Sequence, residues 1–292
     1  MIKGSIVALV TPMSEDLGVD LDALEKLVDW HLDTGTSGLV IAGTTGEAAT
    51  LSGGEFDTLL GTVITRVSGR IPVIAGTGSP DTEKTTNQTR RAETLGADAV
   101  LVVTPYYNRP PQTGMLKHFQ SVANATSLPV ILYNVPSRTS VDLRPETVAE
   151  LARTENIVAI KEASTEPGRM EELVRIAEGR ITVLSGDDPS CLQSMLLGAE
   201  GVISVAANVA PSGMAELCDL VRDSENDAAK RLNDRLQVVY AALALQTNPI
   251  PVKCALSEMG MIKNCIRLPL TTLADEYRLE LAAALKAIDL ID

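Results

Sequence analysis

Eight short apolar runs, each followed by a stretch of helical periodicity, set the strongest constraint on what this chain can fold into. The runs cover residues 6–10, 38–42, 72–76, 99–103, 129–134, 158–161, 181–185 and 201–205. They are continuously apolar instead of alternating, as expected of strands covered on both faces in a parallel sheet. Helices are expected near 21–28, 55–67, 82–95, 113–125, 145–152, 169–177, 190–197 and 212–221. In the first of these, Leu21, Leu24, Leu27 and Val28 share one face. Leu95-Gly96 and Leu197-Gly198 each precede a strand within a few residues, the usual glycine stop between helix and strand. Eight such units fit a closed (β/α)8 TIM barrel. The alternative, an open doubly wound sheet, lacks its GxGxxG turn after the first strand.

The chain beyond the last run has no strand pattern and reads as helices interrupted at Asn248-Pro249-Ile250-Pro251. The expected organisation is an α/β catalytic barrel over residues 1–223 and a small all-helical C-terminal domain over 224–292. Composition narrows the function classes. A net charge of −13 disfavours nucleic acid and anionic membranes as partners. Neither a leader-like N-terminus nor an apolar stretch long enough for a transmembrane helix is visible. Four cysteines without a CxxC pair and only two histidines argue against a metal cluster and fit a reducing, cytoplasmic setting.

In a barrel of this type the chemistry sits at the C-terminal ends of the strands. Those ends carry Gly43-Thr44-Thr45-Gly46-Glu47, Thr104-Pro105-Tyr106-Tyr107-Asn108, Tyr133-Asn134-Val135-Pro136, Lys161-Glu162 and Gly186-Asp187-Asp188. They are rich in hydroxyls and hold one lysine, so metal-assisted enolisation is not expected. Of nine lysines, Lys161 alone closes a hydrophobic strand. Burial there penalises the ammonium and favours a free amine able to attack a carbonyl carbon. The plainer alternative is a rim lysine paired with Glu162. Tyr133 ends the neighbouring strand and is the candidate acid–base group. Thr44 and Tyr107 stand at two further strand ends and can extend a hydroxyl chain. Thr44-Thr45-Gly46 supplies hydroxyls and backbone N–H groups that suit a carboxylate, or is an ordinary βα turn, and Arg138 is a second, bidentate anchor or a surface arginine.

Together with Tyr133-Asn134-Val135-Pro136-Ser137-Arg138-Thr139, Ile160-Lys161-Glu162-Ala163 and Leu184-Ser185-Gly186-Asp187-Asp188, these motifs resemble the dihydrodipicolinate synthase (4-hydroxy-tetrahydrodipicolinate synthase) family of pyruvate-dependent class I aldolases. The likeness runs end to end, including Asn248-Pro249-Ile250-Pro251-Val252-Lys253. It implies a lyase of the diaminopimelate route to lysine, joining pyruvate to L-aspartate 4-semialdehyde without a cofactor. Lys161 would form the Schiff base, and Tyr133 would move protons with Thr44 and Tyr107. Thr45 would hold the pyruvate carboxylate, beside Gly186 and the Ile203 main chain, while Arg138 would receive the semialdehyde carboxylate. A sister lyase such as N-acetylneuraminate lyase, with another aldehyde, is the nearest alternative.

The same likeness implies a homotetramer built as a dimer of dimers, with Tyr107 reaching the neighbouring active site. It also implies a lysine-effector pocket at Ala49, Gly53, Phe56, Gly78, Pro80, Lys84 and Tyr106. Lysine-sensitive relatives place polar or imidazole side chains where this chain has Gly53 and Phe56, an amide at Pro80 and a carboxylate at Lys84. That pocket is therefore expected to be degenerate and feedback by L-lysine weak or absent.

Overall fold

In the computed structural model, which describes residues 2–177 and 179–291, the apolar runs become eight parallel strands closed in sequence order into a barrel. Strands and helices alternate: β1 (Gly4–Ala8), α1 (Leu21–Asp33), β2 (Gly38–Ile41), α2 (Gly53–Val67), β3 (Val73–Gly76), α3 (Thr82–Leu95), β4 (Ala99–Val103) and α4 (Gln112–Ala123). The second half continues with β5 (Val130–Asn134), α5 (Pro136–Thr139), α6 (Pro145–Leu151), β6 (Ile157–Glu162), α7 (Arg169–Ala177), β7 (Thr182–Ser185), α8 (Cys191–Leu196), β8 (Gly201–Ser204) and α9 (Pro211–Arg222). Three more helices follow: α10 (Asn226–Leu243), α11 (Ile250–Glu258) and α12 (Asp275–Lys286). The closed ladder replaces the open-sheet alternative, since β1 pairs with both β2 and β8.

The first three helices begin where a side chain satisfies free N–H groups. Asp20 accepts from Ala23 N at the start of α1. Ser52 and Glu55 form a reciprocal capping box on α2, and Asp81 accepts from Glu83 N and Lys84 N on α3. α3 closes on Gly96 at φ 95°, a conformation that costs glycine little.

Two apolar layers follow from the two-residue period of the strands. Ile6, Ala8, Val40, Ile74, Leu101, Ile131, Ala159, Leu184 and Ile203 fill the barrel interior. Their neighbours, such as Val7, Leu39, Val100, Leu132, Ile160 and Val202, pack outward under the helices. The first run starts earlier than its apolar residues suggest, because Gly4 and Ser5 pair with Gly201 and Val202. It also stops earlier: Val10 N donates to the Asn208 side chain, not to a strand. After the barrel, α10 packs on α9 and α12. Among the described residues no helix is long and apolar enough to cross a membrane.

Candidate active site

A register shift decides which way the lysine faces. Val130 pairs with Ile157, but Ile131 pairs with Ala159, so β6 carries one extra residue, Val158. Without that insertion the period of two would turn the rest of β6 inside out. With it, Ala159 and Lys161 face the barrel axis, and Tyr133 and Lys161 become direct partners across β5 and β6. Lys161 is 5% exposed, and its Nζ lies 4.4 Å from the centre of the Tyr133 ring. An ammonium gains from that ring face, whereas a neutral amine loses little by leaving it. Gly186 makes room for the lysine stem: a Cβ at this position would come within 2.9 Å of Lys161 Cε. Glu162 points the opposite way and hydrogen-bonds Asn134 and the Ser164 N–H, so the rim pairing of Lys161 with Glu162 is not formed.

Lys161 and Tyr133 open into a cavity of about 530 Å³ at the strand ends. Across it, the loop after β2 presents Thr44 and the buried Thr45. Gly46 keeps this turn tight, since a Cβ would stand 3.1 Å from the Leu9 carbonyl. Asn248 Nδ2 donates to Thr45 Oγ1 at 2.9 Å, which leaves the threonine proton free to donate to an anion. The Asn248 carbonyl accepts from Arg138 Nη2 at 3.2 Å. Arg138 itself is exposed at the cavity rim on the one-turn helix α5. The site thus has apolar walls and one amine at the lysine end and is rich in donors toward the opposite wall, an arrangement for a small keto acid or a second carboxylate.

One buried ion pair fixes the loop that carries the threonines. Glu47, left-handed at φ 56°, pairs with Lys253 of α11, and both side chains are 1% exposed. Burial pushes the Lys253 amine down and Glu47 holds it up. Arg267 closes the same knot, donating its backbone N–H to Glu47 and its guanidinium to the Leu17 and Thr50 carbonyls. Removing one partner from a pair this enclosed typically costs about 3–5 kcal/mol.

Of the residues singled out in the sequence, Lys161, Tyr133, Thr44, Thr45, Arg138 and Gly186 line this one cavity. Ile203 does not; it is wholly buried in the barrel interior, and Val205 takes the lining position on that side. Tyr107 also stands apart, 92% exposed and left-handed at φ 74°, while its neighbour Tyr106 lines the cavity. In the expected effector group, Ala49, Gly78 and Tyr106 reach the cavity. Phe56 is instead packed in the core, a Cβ on Gly53 would meet Arg91, and Lys84 is exposed on the first turn of α3. Pro80 is half-buried, its carbonyl accepting from Asn108. Sequence reading did not name Asn248 as a site residue, although the Asn248-Pro249-Ile250-Pro251-Val252-Lys253 stretch both broke the helical tail and formed part of the family likeness. Among the described residues, no group of three or more His, Cys, Asp or Glu side chains is arranged to hold a metal ion.

Comparison with known proteins places the chain in a family. The pattern of the Dihydrodipicolinate synthetase family matches residues 1–288. A 4-hydroxy-tetrahydrodipicolinate synthase from Marinobacter nauticus is 50% identical over 288 residues, covering 98% of this chain and 99% of the relative. One from Stutzerimonas stutzeri is 49% identical over 286 residues, 98% of each. Among solved structures, the chain is similar to a dihydrodipicolinate synthase from Acinetobacter baumannii complexed with pyruvate. The two are 49% identical, superpose with a TM-score of 0.98 and cover 100% of each other.

Proposed function

The chain belongs to the dihydrodipicolinate synthetase family, and from that premise we propose that it is a lyase condensing pyruvate with L-aspartate 4-semialdehyde to 4-hydroxy-tetrahydrodipicolinate. The observation that carries the reading is the buried Lys161 amine against Tyr133, in a cavity whose far wall holds Thr45 and Arg138. In this reading the Lys161 amine adds to C2 of pyruvate, and loss of water leaves an iminium. The iminium withdraws electrons from C3, whose proton leaves to give an enamine. C3 then attacks the aldehyde carbon of the semialdehyde. The amino group of the condensed chain closes on the imine carbon, and the bond to Lys161 breaks to return the free amine.

Tyr133 is the proton donor and acceptor in this scheme, with Thr44 and Tyr107 as its relay. Thr45 holds the pyruvate carboxylate next to Gly186, and the Ile203 main chain acts only from beneath the cavity. Arg138 receives the semialdehyde carboxylate. No step needs a metal or an organic cofactor.

The proposal extends to assembly: a homotetramer made of two dimers, in which Tyr107 completes the partner's relay. Its support is a tyrosine 92% exposed on a chain with only five of them. Residues 1–223 serve as the catalytic barrel and 224–292 as a helical domain that reaches back to the mouth through Asn248 and Lys253. A cytoplasmic location fits four cysteines, all unpaired. The assay that tests the function supplies both substrates and couples product formation to the next reductase. Turnover requiring pyruvate and the semialdehyde together is the expected result; turnover with a sugar aldehyde alone as acceptor would reassign the chain to a sister lyase.

A further inference from the structure

Because successive strand residues face opposite ways, the residues that follow Tyr133 and Lys161 meet behind the sheet. Asn134 and Glu162 are direct register partners on the outer face of β5 and β6, and both are essentially without solvent contact. Asn134 Nδ2 stands 3.1 Å from each Glu162 carboxylate oxygen and donates to Asp142 Oδ1 at 2.8 Å. Its carbonyl oxygen accepts from Leu143 N at 2.9 Å. Glu162 Oε1 also accepts from Ser164 N at 2.6 Å, and Arg169 Nη1 stands 3.8 Å from Oε2. Arg169, from α7, is bidentate on Asp142 and pairs with Glu166. Arg169 and Asp142, the charged groups acting on Glu162 among the described residues, thus belong to one network.

We infer that Glu162 is a positioning residue for Lys161: anchored by Asn134, the Ser164 amide and Arg169, it locks from behind the β5–β6 register at which the lysine amine meets Tyr133. This rests on the imine reading above, and deepens it. The register here is the one that the Val158 bulge sets, and a slip of one residue would turn Lys161 out of the barrel. The network adds side-chain specificity to that ladder, because Asn134 and Glu162 can satisfy each other only in this alignment.

The lock has an ionisation in the working range. Burial pushes the Glu162 carboxyl up to about 7, against the lowering pull of Asn134, the Ser164 N–H and Arg169. Burial acts on Arg169 too, but Asp142 and Glu166 outweigh it and hold the guanidinium firmly charged. Asp142 loses to burial and gains more from Arg169, Asn134 and Arg144, ending below its ordinary value. Glu162 is therefore the member that changes charge near neutrality. As a carboxylate it accepts fully from Asn134 and Ser164; protonated, it gives up one of those acceptors and its attraction to Arg169.

The test is the coupled assay across the neutral pH range on the native chain and on Glu162→Gln, with kcat expressed per folded site. The native chain should lose kcat as pH falls through about 7. Glu162→Gln should lower kcat roughly 10- to 100-fold, the scale of a misplaced reacting group, with the pyruvate KM within about twofold. The limb near pH 7 should vanish. If that variant does not fold, Asn134→Ser keeps the carboxylate and removes its bridge; it should show the same kcat loss with the limb retained and moved to higher pH. Unchanged kcat per folded site, or a loss carried by KM with the native pH profile intact, overturns the inference. A native chain that makes no product instead refutes the proposed function, and the two failures are therefore distinct.

Discussion

The end of β6 and the loop after β4 are two parts of the same barrel mouth, and they are built on opposite terms. At β6, Lys161 is 5% exposed, its stem rests over Gly186, its amine faces Tyr133, and its strand is locked from behind by Asn134 and Glu162. The loop after β4 bears Tyr107 at φ 74° and Arg109 at φ 48°, left-handed conformations that cost non-glycine residues on the order of 1 kcal/mol or more each. Tyr107 has no packing in the single chain to offset that cost, being 92% exposed. Under the proposed function, the contrast sets imine chemistry held within one chain against a relay that assembly would finish.

The comparison breaks most visibly at the lysine. Lys161→Ala should drop turnover to background while leaving the fold intact, because the small side chain still fits over Gly186. Stopped-flow or coupled kinetics on the purified variant measure this directly, and residual activity at a tenth of native would move the nucleophile elsewhere. Tyr133→Phe keeps the ring beneath Lys161 but removes the proton carrier. It should retain imine formation and lose roughly 10²–10⁴-fold in rate.

Changes at the outer loop should act more mildly and should depend on assembly. Tyr107→Phe is expected to cost about a tenth of what Tyr133→Phe costs, since a relay member further from the imine contributes a smaller share of the proton-transfer term. Mixing it with Lys161→Ala subunits should restore activity to some sites if Tyr107 serves a partner. Sedimentation of a fully active monomer would remove that role altogether. The smallest expected effect is that of L-lysine. Lys84 stands exposed on the first turn of α3, and Phe56 is packed into the core rather than facing a ligand. A cationic effector would meet like charge there, so lysine titrated into the assay should leave the rate nearly unchanged. Half-inhibition at submillimolar lysine would show that other residues anchor it.

Much of the barrel was legible because local period carries it. Strand β4 and helices α3 and α7 fall at their expected bounds, and the other barrel strands and expected helices lie within two residues of theirs except α1, which runs on to Asp33; α5 was not expected. The cavity was legible too, because a strand's last residue can be named without knowing its neighbours. What escaped was everything settled by distant parts of the chain. The Val158 bulge, which turns Lys161 inward, is visible only in the pairing of β5 with β6. Asn248 reaches Thr45 across 203 residues and Lys253 reaches Glu47 across 206, contacts on which periodicity is silent. Helix α5, which carries Arg138, is too short at four residues to show a period.

The central claim is that Lys161 forms a covalent imine with pyruvate, and reduction tests it most directly. Borohydride added to the native chain with pyruvate should abolish activity and add one reduced pyruvyl group, located by peptide mass spectrometry at Lys161. Omitting pyruvate should protect the enzyme. An adduct on any other lysine, or full activity after treatment with pyruvate present, would contradict the account.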